Sequence, residues 1–299
     1  MSEMMRVLIG YDGSESADVV LEDLKKAGLP KRVEAIVLTA ADMPLPTYLA
    51  MATHSYTQSC KTSMEQAESA AKECAGRLRT VFPLWNVNSE AHEESPAWAL
   101  VNKAEEWKAN LIVVGAHGHS QLRRFMGSVS QLVLMNSPCS VRVARKLLPK
   151  ADHEGLRVLI GVDGSSGADK AVETVRVREW TSPLNVHILS TLHSQLTLPV
   201  PPLVPEGIRI PLPASGLERQ AVIEMVDALA RSLRGQQRNA EGYVREGDPK
   251  RIIVSEAETW NADCIFVGAR GLSSLRRFLL GSVSMAVAAR AHCSVEVVR

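Results

Sequence analysis

The nine residues RVLIGYDGS at Arg6–Ser14 return as RVLIGVDGS at Arg157–Ser165, with Tyr11 against Val162 as the one difference. Two more matches follow in the same order: VVGAHGHSQLRRFMGSVS (113–130) with FVGARGLSSLRRFLLGSVS (266–284), and SPCSVRVAR (137–145) with AHCSVEVVR (291–299). Matches this long and this far apart mean one domain of roughly 145 residues written twice, not a short-period solenoid. The 299 residues therefore divide into halves of 1–148 and 149–299, each large enough to bury its own core. The polar segment from Arg145 to Gly155, with Pro149, is the expected linker.

Within each copy, short β-branched runs alternate with amphipathic helical stretches, the pattern of parallel strands joined by crossover helices. First strands are predicted at Arg6–Tyr11 and Arg157–Val162, with helices opening near Ser16 and Ser166. Second strands fall at Ala35–Ala40 and Val186–Thr191, followed by helices over Thr62–Arg79 and Gly216–Arg234. Third strands at Asn86–Ala91 and Asn239–Arg245 precede helices opening at Pro96 and Pro249, where a residue without an N–H is tolerated. Fourth strands at Leu111–Val114 and Cys264–Val267 run into the glycine motifs, and fifth strands close each copy at Ser140–Ala144 and Ser294–Val298. Five strands and four helices per copy make an open, doubly wound α/β sheet, which takes ligands outside the carboxyl ends of its strands where the strand order reverses.

Composition narrows the function. Thirty-four Lys and Arg against 33 Asp and Glu leave a net charge of +1, without the basic excess of a nucleic-acid binder. Aromatics at 4% are too sparse for a base-stacking platform. No apolar run approaches a membrane span, and the first residues lack a signal-type pattern, so the expectation is a soluble, cytoplasmic protein with no membrane partner. The five cysteines contain no CxxC pair, which predicts reduced, mostly buried thiols rather than a disulfide frame or a zinc site.

The chemistry concentrates in Gly268-x2-Gly271-x9-Gly281-Ser282, which begins at a strand end and finishes where a helix opens. Glycines admit close backbone approach, and the first turn of a helix presents unpaired N–H groups at the positive end of its dipole, so the pattern suits an anion. Ser282 and Ser284 add hydroxyls, and Asp163 closes the first strand on the same edge, placed to accept from ribose hydroxyls. Turn glycines with a capping serine are the plainer reading of the motif alone. The N-terminal copy repeats the set as Asp12, Gly115, Gly118, Gly127, Ser128 and Ser130.

At these residues the sequence resembles the universal stress protein family in its tandem form, over nearly the whole chain. The resemblance implies strand order 3-2-1-4-5 in each half, a fold like that of the adenine nucleotide alpha-hydrolases, and ATP as ligand in the nucleotide-binding branch. It further implies that Asp163 holds the ribose, that Thr191 and Val267 line the adenine, and that Gly268, Gly271, Gly281, Ser282, Val283 and Ser284 cradle the phosphates. In the first half the counterparts are Asp12, Ala40, Val114, Gly115, Gly118, Gly127, Ser128, Val129 and Ser130. Mg2+ could bridge the phosphates, though no carboxylate cluster demands it. It implies pairing through the fifth strands, which an 11-residue linker with about 36 Å of extended reach permits within one chain; a homodimer is a further option.

Competing motifs are absent. Neither copy carries GxxxxGK[ST], GxGxxG after the first strand, or an SGGxDS-type loop. HEESPAW at His92 has one histidine and no zinc pair. His117, His119 and the paired arginines 123–124 and 276–277 read as solvated surface or as phosphate contacts, and Trp107 and Trp260 as packing. A binding protein that signals by occupancy is the expected function, against a slow ATPase, for which no base is evident, and a nucleotide-free scaffold. The six-proline segment Leu196–Pro213 is expected to be an extended flap. The two sites are expected to differ: nine residues (272–280) separate the second and third motif glycines in the C-terminal copy and eight (119–126) in the N-terminal one. Glu94 also replaces Gly247, and Tyr11 replaces Val162, so the C-terminal copy is expected to bind nucleotide better.

Overall fold

The computed structural model describes residues 4–41, 54–116, 126–146, 155–192, 216–271 and 280–299. The N-half runs β1 (Met5–Gly10), α1 (Glu15–Leu24), β2 (Val33–Ala40), α2 (His54–Val81), β3 (Asn86–His92), α3 (Pro96–Trp107), β4 (Leu111–Gly115), α4 (Ser128–Asn136) and β5 (Ser140–Ala144). The C-half repeats it with β6 (Leu156–Gly161), α5 (Ser166–Val177), β7 (Leu184–Leu192), α6 (Gly216–Leu233), β8 (Arg238–Glu246), α7 (Pro249–Thr259), β9 (Cys264–Gly268), α8 (Ser282–Arg290) and β10 (Ser294–Val298). The expected elements are all present. The largest boundary difference is α2, which begins two turns before Thr62. The Pro-rich stretch 196–213 and most of the linker lie outside the described residues.

The ten strands form one sheet in the order β3-β2-β1-β4-β5-β10-β9-β6-β7-β8, so each half has the order 3-2-1-4-5. Contacts inside each half are parallel, and the halves join through antiparallel pairing of β5 with β10. The central strands read as continuous apolar runs because helices cover both faces: Val7, Leu8 and Ile9 in β1 and Val158, Leu159 and Ile160 in β6 are all buried. Local signals set the helix ends. Ser165 caps α5 by accepting from Ala168 N at 3.2 Å, and Asp248 caps α7, whose first residue is Pro249. Lys108 ends α3 in the left-handed region at φ 54°, returning its N–H to the last turn.

The two faces of the sheet differ. On one, α3, α4, α7 and α8 cover a single apolar core that crosses the β5–β10 seam and includes Val141, Val143, Val295 and Val297. On the other, α1 with α2 and α5 with α6 cover separate cores. Between those cores lies a buried chain of charges, Asp23–Arg142–Glu296–Arg178, in which Arg142 is 1% and Glu296 0% exposed. Burial opposes the charge on Arg142, but Asp23, Cys264 and Glu296 outweigh it and hold the guanidinium well above its ordinary pKa.

Candidate functional site

The strand order turns back between β1 and β4 and again between β6 and β9, so two equivalent crevices lie outside the carboxyl ends of these strands. Exposed Asp12 and Asp163 stand there, each two residues past the end of the first strand of its half. Gly13 and Gly164 follow at φ 75° and 78°, a conformation that favours glycine. The turn then returns Ser14 N and Ser165 N to Oδ1 of the respective aspartate at 3.0 Å, which fixes the carboxylate relative to the sheet edge.

The fourth-strand glycines approach this turn closely in the C-half. A Cβ on Gly268 would collide with the backbone of Gly167 at the start of α5, and one on Gly271 would collide with the Asp163 carboxylate. Gly167 has the same need, since its Cβ would stand 2.5 Å from Arg270 O. Ser165 completes the junction by donating to Arg270 O at 3.3 Å. Gly167 and Arg270 were not singled out in the sequence. The signal was there: the first copy has Ser16 and His117 at these positions, so the C-half alone carries a glycine at the first and an arginine at the second.

The third motif glycine starts the last helix of each half. Gly127 N donates to Ala116 O and Gly281 N to Ala269 O, both at 2.8 Å, which pins the helix N-terminus beside the fourth strand. Ser128 and Ser282 are exposed at the first helical position, and the N–H groups of this turn have no partner within the helix. Ser130 and Ser284, one turn in, are 4% exposed and donate to Gly115 O and Gly268 O at 2.6 Å. In this structure these hydroxyls tie the helix start to the end of the fourth strand. Val114 and Val267, 4% and 3% exposed, pack in the core below the crevice. Ala40 and Thr191 are half-buried at the ends of β2 and β7, while Val129 and Val283 are half-buried against the core. Gly118, His117, His119 and the two arginine pairs lie outside the described residues.

The copies differ around the crevice in other respects. Tyr11 is buried and donates to Asp18 Oδ1 at 3.0 Å, and burial together with that carboxylate pushes its pKa up to about 12, so it remains a neutral phenol. Glu94 turns towards α3, where it accepts from Asn102 Nδ2 at 2.9 Å, whereas Gly247 adopts φ 132°. Among the described residues no three His, Cys, Asp or Glu side chains converge as a metal site, and no helix is long and apolar enough to cross a membrane. The described cysteines carry no disulfide.

Comparison with known proteins agrees with this architecture. The model of the universal stress protein family matches twice, at residues 4–145 and 156–299. A universal stress protein of Mycolicibacterium smegmatis is 26% identical over 305 aligned residues, covering 98% of this chain and 96% of that one. Another, from Mycobacterium tuberculosis, is 31% identical over 220 residues, covering 71% of this chain and 68% of that one. The crystal structure of a universal stress protein from Archaeoglobus fulgidus superposes with a TM-score of 0.64 at 22% identity, covering 98% of this chain and 96% of that one. With two family matches spanning both halves of one continuous sheet, the chain belongs to the universal stress protein family.

Proposed function

We propose that this chain is a regulatory binding protein whose ligand is an adenine nucleotide, ATP in the first instance, taken at the sheet edge of each half. The observation that carries this reading is the junction in the C-half, where a fixed aspartate, glycines that admit no Cβ and a helix N-terminus meet at one reversal of strand order. In this reading Asp163 and Asp12 accept from the ribose hydroxyls. Gly281, Ser282 and Val283, with Gly127, Ser128 and Val129 in the first half, offer first-turn donors to the phosphates. Gly268 and Gly271, with Gly115 and Gly118, keep that approach clear, and Arg270 adds positive charge. Thr191 and Ala40 border the base, with Val267 and Val114 forming the floor. Mg2+, if it accompanies the nucleotide, would be held by phosphate oxygens rather than by a carboxylate cage.

In this reading these parts bind and orient phosphates, and occupancy rather than turnover is the functional signal. The C-half is the stronger site. It has the longer loop, the close Gly167–Gly268 approach and Arg270 where the first copy has His117. Titration of Gly281→Val and Gly127→Val with ATP tests both statements: each variant should weaken one site by at least about tenfold, the steric exclusion of a phosphate from its donors, with the larger loss in total binding from Gly281→Val. A larger loss from Gly127→Val overturns the ranking. Purified chain that neither carries nucleotide nor binds added ATP, ADP or AMP overturns the function in favour of a scaffold, and sustained ADP release under multiple turnover overturns it in favour of an ATPase.

A further inference from the structure

The seam between the halves is nearly symmetric. Ser140 and Ser294, Val141 and Val295, and Val143 and Val297 are the same residue at equivalent positions of β5 and β10, as are Arg145 and Arg299 directly after them. Their contacts match as well: Arg145 N donates to Ser294 Oγ at 3.0 Å and Arg299 N to Ser140 Oγ at 3.1 Å. Each of these guanidiniums reaches into the other half, Arg145 to Ala288 O of α8 and Arg299 to Leu134 O of α4. Nothing in this set distinguishes pairing with the other half from pairing with a second copy of the same half.

One position does. The register pairs Val143 with Val295, Arg142 with Glu296 and Val141 with Val297. Position 142 is equivalent to position 296, so this central pair is the one that meets its own equivalent across the local two-fold axis, and it carries opposite charges. Its flanks extend the contrast. Arg142 donates through Nε and Nη2 to Asp23 of its own half at 2.6 and 2.9 Å and through Nη1 to Glu296 at 3.2 Å, while Glu296 pairs with Arg178 of its own half. A second contact, between the turns that follow the first helix of each half, is also one-sided. The turn Ala27–Leu29 after α1 meets the equivalent turn Arg178–Trp180 after α5: Ala27 O accepts from Arg178 Nη1 at 2.6 Å, and Gly28 O accepts from Glu179 N at 2.9 Å. Gly28 lies at φ 63° beneath the Trp180 ring, which a Cβ there would approach to 2.8 Å.

We propose that the fifth-strand surface of each half is built to accept the other half and to refuse a second copy of itself, so that assembly through this strand joins an N-half to a C-half. Two N-halves would turn the alternating series Asp–Arg–Glu–Arg into Asp–Arg–Arg–Asp, with like charges directly opposite in a fully buried position. Their turns would also set Leu29 where Trp180 now fills the space over Gly28. Two C-halves would bring Glu296 against Glu296 and place Glu179, with a side chain, where the tryptophan admits only glycine. The valine face supplies affinity to every combination alike, and selectivity comes from the like charges and ill-fitting turns that the wrong combinations bring face to face. A second copy of this chain can therefore use the strand only by exchanging halves, which preserves every Arg–Glu pair.

The test uses the full chain carrying a protease site within residues 147–154, cut after folding and incubated in sub-denaturing urea so that halves can exchange. Native mass spectrometry should then show complexes of one N-half with one C-half. Dimers of like halves in the proportion that random pairing produces would overturn the proposal. Should the cut halves fail to re-pair, uncut Glu296→Arg and Glu296→Gln decide the matter by hydrogen exchange. Seam amides at Val141–Ala144 and Val295–Val298 should exchange at least about tenfold faster in the Arg variant, which imposes repulsion, than in the Gln variant, which only removes a charge. Equal exchange in the two variants would overturn it.

Discussion

The two halves share a fold and differ where each meets something other than itself. Their first strands are alike: β1 and β6 bury the same Val-Leu-Ile run, and the hydroxyls of Ser130 and Ser284 make the same 2.6 Å bond to equivalent glycine carbonyls. The divergence collects at the seam, where Arg142 faces Glu296, and at the crevice outside the strand ends, where Ser16 and Tyr11 stand against Gly167 and Val162. A third difference lies at the opposite edge of the sheet. His187, the counterpart of Ile36, stacks on Trp260 at 3.4 Å beside a concavity of about 240 Å³ lined also by Arg157, Asn185 and Glu241. After duplication, residues that pack a half against itself remain alike, because either half needs them. Residues at a contact between unlike surfaces have no such constraint.

Substitutions that make the halves more alike, or cut one side of a difference, probe this contrast. The largest effect is expected from Glu296→Ala, which leaves the buried Arg178 guanidinium without a carboxylate partner and takes one of two from Arg142, and should cost about 3–5 kcal/mol in denaturant unfolding. A loss no larger than that of an exposed pair such as Lys72–Glu68 would mean that the charged face does not hold the seam. Gly167→Ser, which writes the N-half residue into the C-half, forces a side chain towards Arg270 O and should cost about 1–3 kcal/mol. It should also weaken ATP binding by the C-half, and unchanged binding would separate that close approach from the ligand site.

The pH response should belong to the C-half. Burial holds His187 down to about 4 from its usual 6.5, so the unfolded chain takes up a proton that the folded one refuses. Stability should therefore be complete above about pH 6.5, fall as the pH drops towards 4, and level off below it. The loss is roughly 1 kcal/mol, below the full linkage value because the ring is partly exposed. His187→Ile should abolish this component when unfolding is compared at neutral and acid pH. The smallest effect is expected for Tyr11→Phe, which removes the bond to Asp18 in the N-half and should cost about 1 kcal/mol. Asp18 retains its ion pair with Arg77, so a much larger loss would show the phenol to be essential to the N-half edge.

The sequence by itself determined the duplication, the order of elements and the edge of the sheet where the aspartates and motif glycines gather. These follow from short-range physics: strand and helix periods, a proline at a helix start, an aspartate at a strand end and glycines before a helix. Pro96, Pro249 and Ser166 begin their helices as read, and both fifth strands have the expected bounds. What the tertiary structure alone decided is how residues far apart in the chain share one space. Ser130 and Ser284 resemble anion donors in a motif, and the fold brings their hydroxyls to the strand 15 or 16 residues earlier. Gly167 looks like any small residue near a helix start until β9 is brought against it. Arg142 and Glu296 are a charge apiece among alternating valines, and the period of two tells which side of the strand each occupies without telling what lies across from it. That depends on a register between strands 154 residues apart, set by the packing of both halves at once.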